Sequence, residues 1–293
     1  MAAPGSNNQP GKKDRREAAR EKARLEREAE KRRQRRNRIF VQGGIGIVVL
    51  AIVAVIALVI VNVNKPAGPG PLNMASDGIL LTGSNLSATK TPAIKAGAVP
   101  IVTDRTKHKT TANIVTYIDY QCPYCQQFET TNATQIATWV KAGVATIEIH
   151  PIAFLDNSSL GNKYSTRAAN AAACVANYDP NNYYAVNTAL FANQPAENTS
   201  GKTDAQLFAV LKGAGSGSAA IKSCITSQQF VPWVAAATAR VHPNGDAKVF
   251  KGVAVTPITF GGTPTVFVSG VQYTGSLTDA TAFSAFTAQH AAG

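Results

Sequence analysis

The feature that most restricts this chain is Asp119-Tyr120-Gln121-Cys122-Pro123-Tyr124-Cys125. It is a Cys-x-x-Cys pair at the point where a β-branched run, Ile114 to Ile118, gives way to a helix-like run, Gln126 to Val140. A thiol in the first turn of a helix sits beside unpaired backbone N–H groups and the positive end of the helix dipole. Both favour thiolate over thiol, and the thiolate is the species that attacks and leaves in disulfide exchange. The spacing therefore reads as a redox pair set between a strand and a helix. A zinc knuckle needs a second Cys/His pair at short spacing, and the remaining cysteines, Cys174 and Cys224, lie far apart. A c-type haem site needs His after Cys125, where the chain has Gln126. A purely structural disulfide across so small a ring constrains an unfolded chain only weakly. No metal and no cofactor is expected.

The chain divides by charge before it divides by fold. Of its 29 Lys/Arg and 17 Asp/Glu, 14 and 6 respectively fall before residue 41. Between Lys12 and Arg38, Leu25 is alone among large apolar residues, so the tail 1–40 cannot bury a core and reads as a solvated helix or a disordered segment. Nucleic acid is not the expected partner, because the run lacks interleaved aromatics and abuts a hydrophobic segment. Gly43 to Val61 is a stretch of 19 residues without a charge. At 1.5 Å per residue it spans about 28 Å, close to the hydrocarbon thickness of a bilayer. Residues 41–63 are expected to form one transmembrane helix. A cleaved signal peptide has a shorter apolar region ending at a small-x-small site, whereas Asn62-Val63-Asn64-Lys65 follows here. With 14 basic residues before the span and only Lys65 close behind, the positive-inside rule places the N-terminus in the cytoplasm. Everything from Asn64 onward is then outside, in the cell-membrane-anchored topology of a single-pass protein.

An extracytoplasmic setting permits disulfides. Cys174 falls in the helical run Arg167 to Tyr178 and Cys224 in the run Ala219 to Ser227; paired, they close a loop of about 50 residues, worth roughly 4 kcal/mol in the chain-entropy model. Structural pairing is the favoured reading. Two buried free thiols, or a second redox relay, is the competing one, and the pair lacks the close spacing of a relay. Residues 64–110 look like a linker, broken by Pro66, Pro71, Pro92 and Pro100, with short strands at Gly78 to Thr82 and Val99 to Val102. Beyond residue 111, strands at Ile114 to Ile118 and Val144 to Ile149 bracket a helix over Cys122 to Lys141. A helical stretch from Ser165 to Ala239 follows, with breaks at Asp179-Pro180, Pro195 and Gly213 to Gly217. Thr265 to Val268 and Val271 to Tyr273 read as a hairpin about Ser269-Gly270, and Leu277 to Gln289 as a closing helix.

From about Ile114 to Gln289 the chain resembles the DsbA-like branch of the thioredoxin superfamily. The likeness rests on Asp119-Tyr120-Gln121-Cys122-Pro123-Tyr124-Cys125, on Ser165-Thr166-Arg167-Ala168-Ala169 leading to Leu190-Phe191-Ala192-Asn193-Gln194, and on Gly262-Thr263-Pro264-Thr265-Val266-Phe267-Val268-Ser269-Gly270, in that order. The extra Cys174/Cys224 pair is similar to that of actinobacterial members. The resemblance implies an α/β thioredoxin-like fold over 111–291 with a helical insertion at about 155–245. It further implies Cys122 as exposed nucleophile, Cys125 as buried resolving thiol, and Pro264 in the cis form facing the pair, with Thr263 lining a peptide-binding groove. Pro257, in Val255-Thr256-Pro257, lacks the strand that directly follows Pro264.

Two departures from the family pattern matter. Thr116 stands six residues before Cys122, where many thioredoxin-like proteins carry a buried carboxylate. Proton transfer at Cys125 then needs water or another group such as Asp119 or Glu148, although Asp119 reads as a strand-end residue and Glu148 as a solvated one. Tyr124 stands where strong oxidants of the family carry His. Its phenol can donate to the Cys122 sulfur but brings no positive charge. His150, in a strand before Pro151, reads as structural, and His108, His242 and His290 form no constellation. The implied activity is thiol-disulfide exchange on unfolded or newly exported proteins with cysteines, with reoxidation by a quinone-linked membrane oxidase of the DsbB or vitamin K epoxide reductase type. A reductase or isomerase of the same fold is the alternative within enzymes. A tethered binding module or holdase is the alternative outside them.

Overall fold

The apolar run Ala112–Ile118 suits a strand covered on both faces. The computed structural model describes residues 68–104, 112–241 and 261–291, and places that run near the middle of a six-stranded sheet. The strands are β1 (Ile79–Thr82), β2 (Ser87–Ala88), β3 (Ala112–Ile118), β4 (Ala145–Pro151), β5 (Thr265–Val268) and β6 (Val271–Gln272), in the order β2-β1-β4-β3-β5-β6. β3 and β4 are parallel, with Ile114 opposite Ile147; every other pair is antiparallel. Parallel neighbours need a crossover, and the helix α1 (Pro123–Lys141) supplies it.

α1 buries Cys125, Phe128, Glu129, Asn132, Ile136 and Val140, a stripe at helical spacing. Gly143, at φ 73°, ends the helix: Gly143 N donates to Val140 O and Val144 N to Trp139 O, so the last carbonyls are satisfied in a left-handed turn. Ile114 and Ile118 of β3 share a core with Phe128 and Ile136, while Val115 and Tyr117 on the other face pack with Ile152, Val241 and Phe267.

After β4 come α2 (Tyr164–Tyr178), α3 (Tyr183–Ala192), α4 (Asp204–Gly213), α5 (Ala219–Thr226) and α6 (Val231–Val241), with breaks near Pro180, Pro195 and Gly213 to Gly217 as the sequence indicates. The chain then returns as the β5–β6 hairpin, whose turn residues Ser269 and Gly270 both have positive φ (47° and 89°), the geometry that matches strand twist. It closes with α7 (Ala280–Gln289), which starts later than expected because the Asp279 side chain accepts from Thr281 N and Ala282 N. This is the thioredoxin-like order with a helical insertion. Cys174 of α2 and Cys224 of α5 are joined by a disulfide, with Cα atoms 5.9 Å apart.

Three expectations need correction. The described part of the segment read as a linker, 68–104, is not free, because β1 pairs with β4 and β2 with β1. Its Asp77 accepts from Trp233 Nε1 at 3.1 Å and from Arg240 Nε and Nη2 at 2.6 and 2.7 Å, which ties it to α6. Val99 to Val102 form no strand; Pro100 removes a donor there, and Val99 and Ile101 face solvent. Glu148 is not solvated but 3% exposed, accepting from Ser76 Oγ and Thr103 Oγ1 and lying 3.2 Å from His150 Nε2. His150 in turn stacks on Tyr117 and leaves room only for glycine at 78, where a Cβ would come within 2.4 Å of its ring. A strand-pattern reading cannot see that the earlier segment covers this face of β4.

Among the described residues no helix is long and apolar enough to cross a membrane. The tail 1–40, the run Gly43 to Val61, Pro257, His108 and His242 lie outside the described residues.

Candidate active site

β3 ends at Ile118, and the next four residues fold tightly enough to start α1 at Pro123. Asp119 organises that turn. Its fully buried carboxylate accepts from Gln121 N at 2.8 Å, Phe154 N at 2.8 Å and Leu155 N at 2.9 Å, tying the β3 exit to the β4 exit. Burial pushes the Asp119 carboxyl up, against these bonds and Ser165. Asp119 is thus the strand-end residue that the sequence suggests.

Cys122 is the N-cap of α1, with extended φ and ψ of −75° and 117°, and Pro123 occupies the first helical position, where an N–H would be unpaired anyway. Its carbonyl accepts from Gln126 N at 3.1 Å, closing the first turn. Cys125 is fully buried one turn on, and Asp119 N–H lies 3.5 Å from its sulfur. Both cysteines are free thiols. The resemblance implies an exposed Cys122; instead it is 4% exposed, because the Thr263 carbonyl lies 3.2 Å from its sulfur and accepts from the thiol. The Thr263-Pro264 bond is cis, and the Thr263 carbonyl stands at the Cys122 sulfur.

The two thiols are driven apart in acidity. Cys122 is lowered to about 7, first by the Cys125 thiol bonding to its sulfur, then by the Thr263 side chain and the backbone N–H groups of Cys125 and Tyr124, with burial opposing. Burial raises Cys125 well above the ordinary thiol value, and the neighbouring Cys122 sulfur adds to the rise. The Tyr124 contribution comes from its backbone N–H; the residue is 61% exposed.

The helical insertion grips this motif. Gln194, just beyond α3, donates from Nε2 to Tyr120 O at 3.1 Å and Cys122 O at 3.0 Å; Gln126 Nε2 reaches Phe191 O at 2.9 Å and Gln121 Nε2 reaches Ser158 O at 2.9 Å. Tyr120 packs on Phe191, and its hydroxyl donates to Asn187 Oδ1 at 3.0 Å. Sequence reasoning assigned no role to Gln194, Gln126 or the buried Glu129. For Glu129 a signal existed, since it falls on the same α1 stripe as Cys125 and Phe128.

Known proteins agree with this geometry. A family model described as Thioredoxin matches residues 106–286. Among solved structures, the chain is 26% identical to the reduced disulfide bond oxidoreductase DsbG of Mycobacterium tuberculosis, with TM-score 0.53, covering 75% of this chain and 89% of that one. It is also 26% identical to reduced DsbA of the same organism, with TM-score 0.52, covering 74% and 93%. Among curated proteins it is 40% identical over 110 residues to the serine/threonine-protein kinase PknE of M. tuberculosis, which covers 36% of this chain. The chain spans 19% of the length of that relative. Fold, neighbouring thiols and these likenesses define the class: thiol-disulfide oxidoreductases of the DsbA type. The chain belongs to the thioredoxin family.

Proposed function

We propose that the chain oxidises cysteine pairs of unfolded or newly exported proteins through Cys122 and Cys125, outside the cytoplasm. The observation that carries exchange at this pair is the split between the two thiols, Cys122 lowered to about 7 and Cys125 raised. In the oxidised protein, a substrate thiolate attacks the Cys122 sulfur, Cys125 leaves and takes a proton, and a mixed disulfide forms. A second substrate thiolate attacks the substrate sulfur of that bond, and Cys122 departs as a thiolate, leaving the substrate oxidised. An acidic Cys122 leaves well. Tyr124, exposed beside it, and Thr263 and Pro264 across from it border the path of the incoming chain.

A Cys122 value of about 7 matches that of thioredoxin and is far above that of the strongest oxidants of this class. Direction therefore rests on location as well. The basic tail and the span Gly43 to Val61 argue for a single-pass anchor with the domain outside, away from cytoplasmic reductants and within reach of a quinone-linked oxidase of the DsbB or vitamin K epoxide reductase type. A reporter fused after residue 290 should be active only outside the cytoplasm. The functional test is oxidative refolding of reduced, unfolded ribonuclease: the wild type should accelerate it and Cys122→Ser should not. A Cys122→Ser protein that still promotes recovery would instead support the binding-module reading.

A further inference from the structure

The exposed apolar side chains of the domain are gathered rather than scattered. Among those of the described residues, Leu72, Val99, Ile101, Val102 and Tyr178 lie in or beside one short segment, 70–75. Leu72 N donates to Asn177 Oδ1 at 2.9 Å and Asn73 Nδ2 to Ala176 O at 2.8 Å, which sets the last turn of α2, and with it Tyr178, against that segment. Ile101 N donates to Ala75 O at 2.7 Å and brings Val99 to Val102 alongside. Gly70 N donates to Ile94 O and Asn73 N to Thr91 O, so Lys95 and Lys90, both exposed, flank the same place. Val99 is 78% and Ile101 64% exposed, and side chains this open add little to the core. Apolar residues collected at one place on a surface mark a contact with a partner or a membrane.

We infer that this patch docks on the lipid surface, with Leu72, Val99, Ile101 and Tyr178 among the headgroups. The inference rests on the reading of Gly43 to Val61 as a membrane anchor. On that reading the expected span 41–63 ends five residues before Gly68, the first described residue. Extended chain covers at most about 3.6 Å per residue, so those five residues reach about 18 Å at most. Headgroups occupy about 5–8 Å on each side of the hydrocarbon core and take up part of that reach. The remainder is about the width of one helix, which keeps the surroundings of residues 68–75 at the bilayer. A patch for a second copy or for an exported chain could stand anywhere on the domain; one placed where the chain leaves the membrane fits lipid. The residue types agree. Tyrosine, with an apolar ring and a polar tip, suits the headgroup boundary, and the Tyr178 hydroxyl keeps a polar partner in Gln229 at 3.2 Å. Lysines lay their stems on apolar surface and keep the ammonium in water, as Lys90 and Lys95 can at the edge of the patch.

The test uses the full chain in vesicles of phosphatidylcholine and phosphatidylglycerol, with a benzophenone amino acid placed singly at position 72, 99, 101 or 178. Controls carry it at Val144, which precedes β4, or at Val271 in the edge strand β6, both exposed apolar positions away from the patch. After irradiation, mass spectrometry should find lipid adducts at 99 and 101 and none at 144 or 271. Val99→Asp, in the protein labelled at 72, should lower the lipid adduct by about tenfold, because burial of one such side chain is worth at least that factor. The same substitution should leave the refolding of ribonuclease unchanged, since Val99 takes no part in exchange. Adducts at 99 and 101 that join two copies of the chain, equal lipid labelling at every position, or an unchanged adduct in Val99→Asp overturns the inference. Extraction with alkaline carbonate tests the anchor separately. Protein released from the vesicles removes the underlying reading, whereas protein that stays without lipid adducts at 99 and 101 removes only this one.

Discussion

Gln194 donates to the carbonyl of Cys122 at 3.0 Å, and so holds the N-cap of the active-site helix from the end of α3. The same amide nitrogen reaches Tyr120 O at 3.1 Å. The insertion is therefore part of the site and not a decoration on it: the carbonyls that enter the Cys-x-x-Cys turn are fixed by a side chain about 70 residues later in the chain. Replacing Gln194 by Leu removes the side-chain donor from Tyr120 O and leaves Cys122 O with Gln126 N alone, and should lower stability by about 1–3 kcal/mol, measured by urea unfolding. Exchange should slow as well, because the turn that aims Cys122 loosens.

The disulfide between Cys174 and Cys224 closes a 50-residue separation between two helices of the insertion. Replacing both by Ala should cost about 2–5 kcal/mol and leave exchange at Cys122 largely intact. Non-reducing peptide mapping of the wild type should recover the two linked to each other. A fragment linking either one to Cys122 or Cys125 would contradict the assignment.

The acidity of Cys122 predicts a pH dependence with a definite sign. Its folded value is about 7 against an ordinary value of 9.0, so its contribution to the reduced form is fully present above 9 and is lost as pH falls through 7. The oxidised form has no such group. The stability of the reduced protein relative to the oxidised one should therefore rise between pH 7 and 9, by about 2–3 kcal/mol across that window. Paired denaturation curves at pH 6, 7, 8 and 9 would measure it. Alkylation of the reduced protein by iodoacetamide should have its midpoint near pH 7 and be confined to Cys122, since Cys125 is enclosed and its thiol is raised.

Much of this was legible in the sequence because it is local. The strand-to-helix junction at Ile118–Pro123, the hairpin at Ser269-Gly270 and the breaks in the helical block are written in β-branched runs, Pro and Gly, and the structure repeats them in order. Cys122 and Cys125 came from a short motif and Thr263 and Pro264 from the family resemblance; the structure sets the Thr263 carbonyl against the Cys122 sulfur and makes the Thr263-Pro264 bond cis. What was not legible depends on distant partners. Nothing near Glu148 reveals that Ser76 and Thr103 cover it, and nothing near Asp77 reveals Trp233 and Arg240. Gln194 likewise gains meaning only when α3 is laid against the motif. Proline-rich composition made residues 64–110 look like a linker, yet a short strand needs only a few residues between prolines, as Ile79–Thr82 shows.

The most direct test of the account is the reduction potential of the Cys122–Cys125 couple in the full chain, measured at equilibrium with glutathione at pH 7. A thiolate stabilised to about 7, next to a thiol that is raised, predicts a value between those of the strongest oxidants of this class, near about −120 mV, and thioredoxin, near about −270 mV. With Cys122 at about the thioredoxin value and Tyr124 in place of a cationic residue, the value should be intermediate and nearer the thioredoxin end. A potential at or below about −270 mV would contradict the account and assign the chain to reduction.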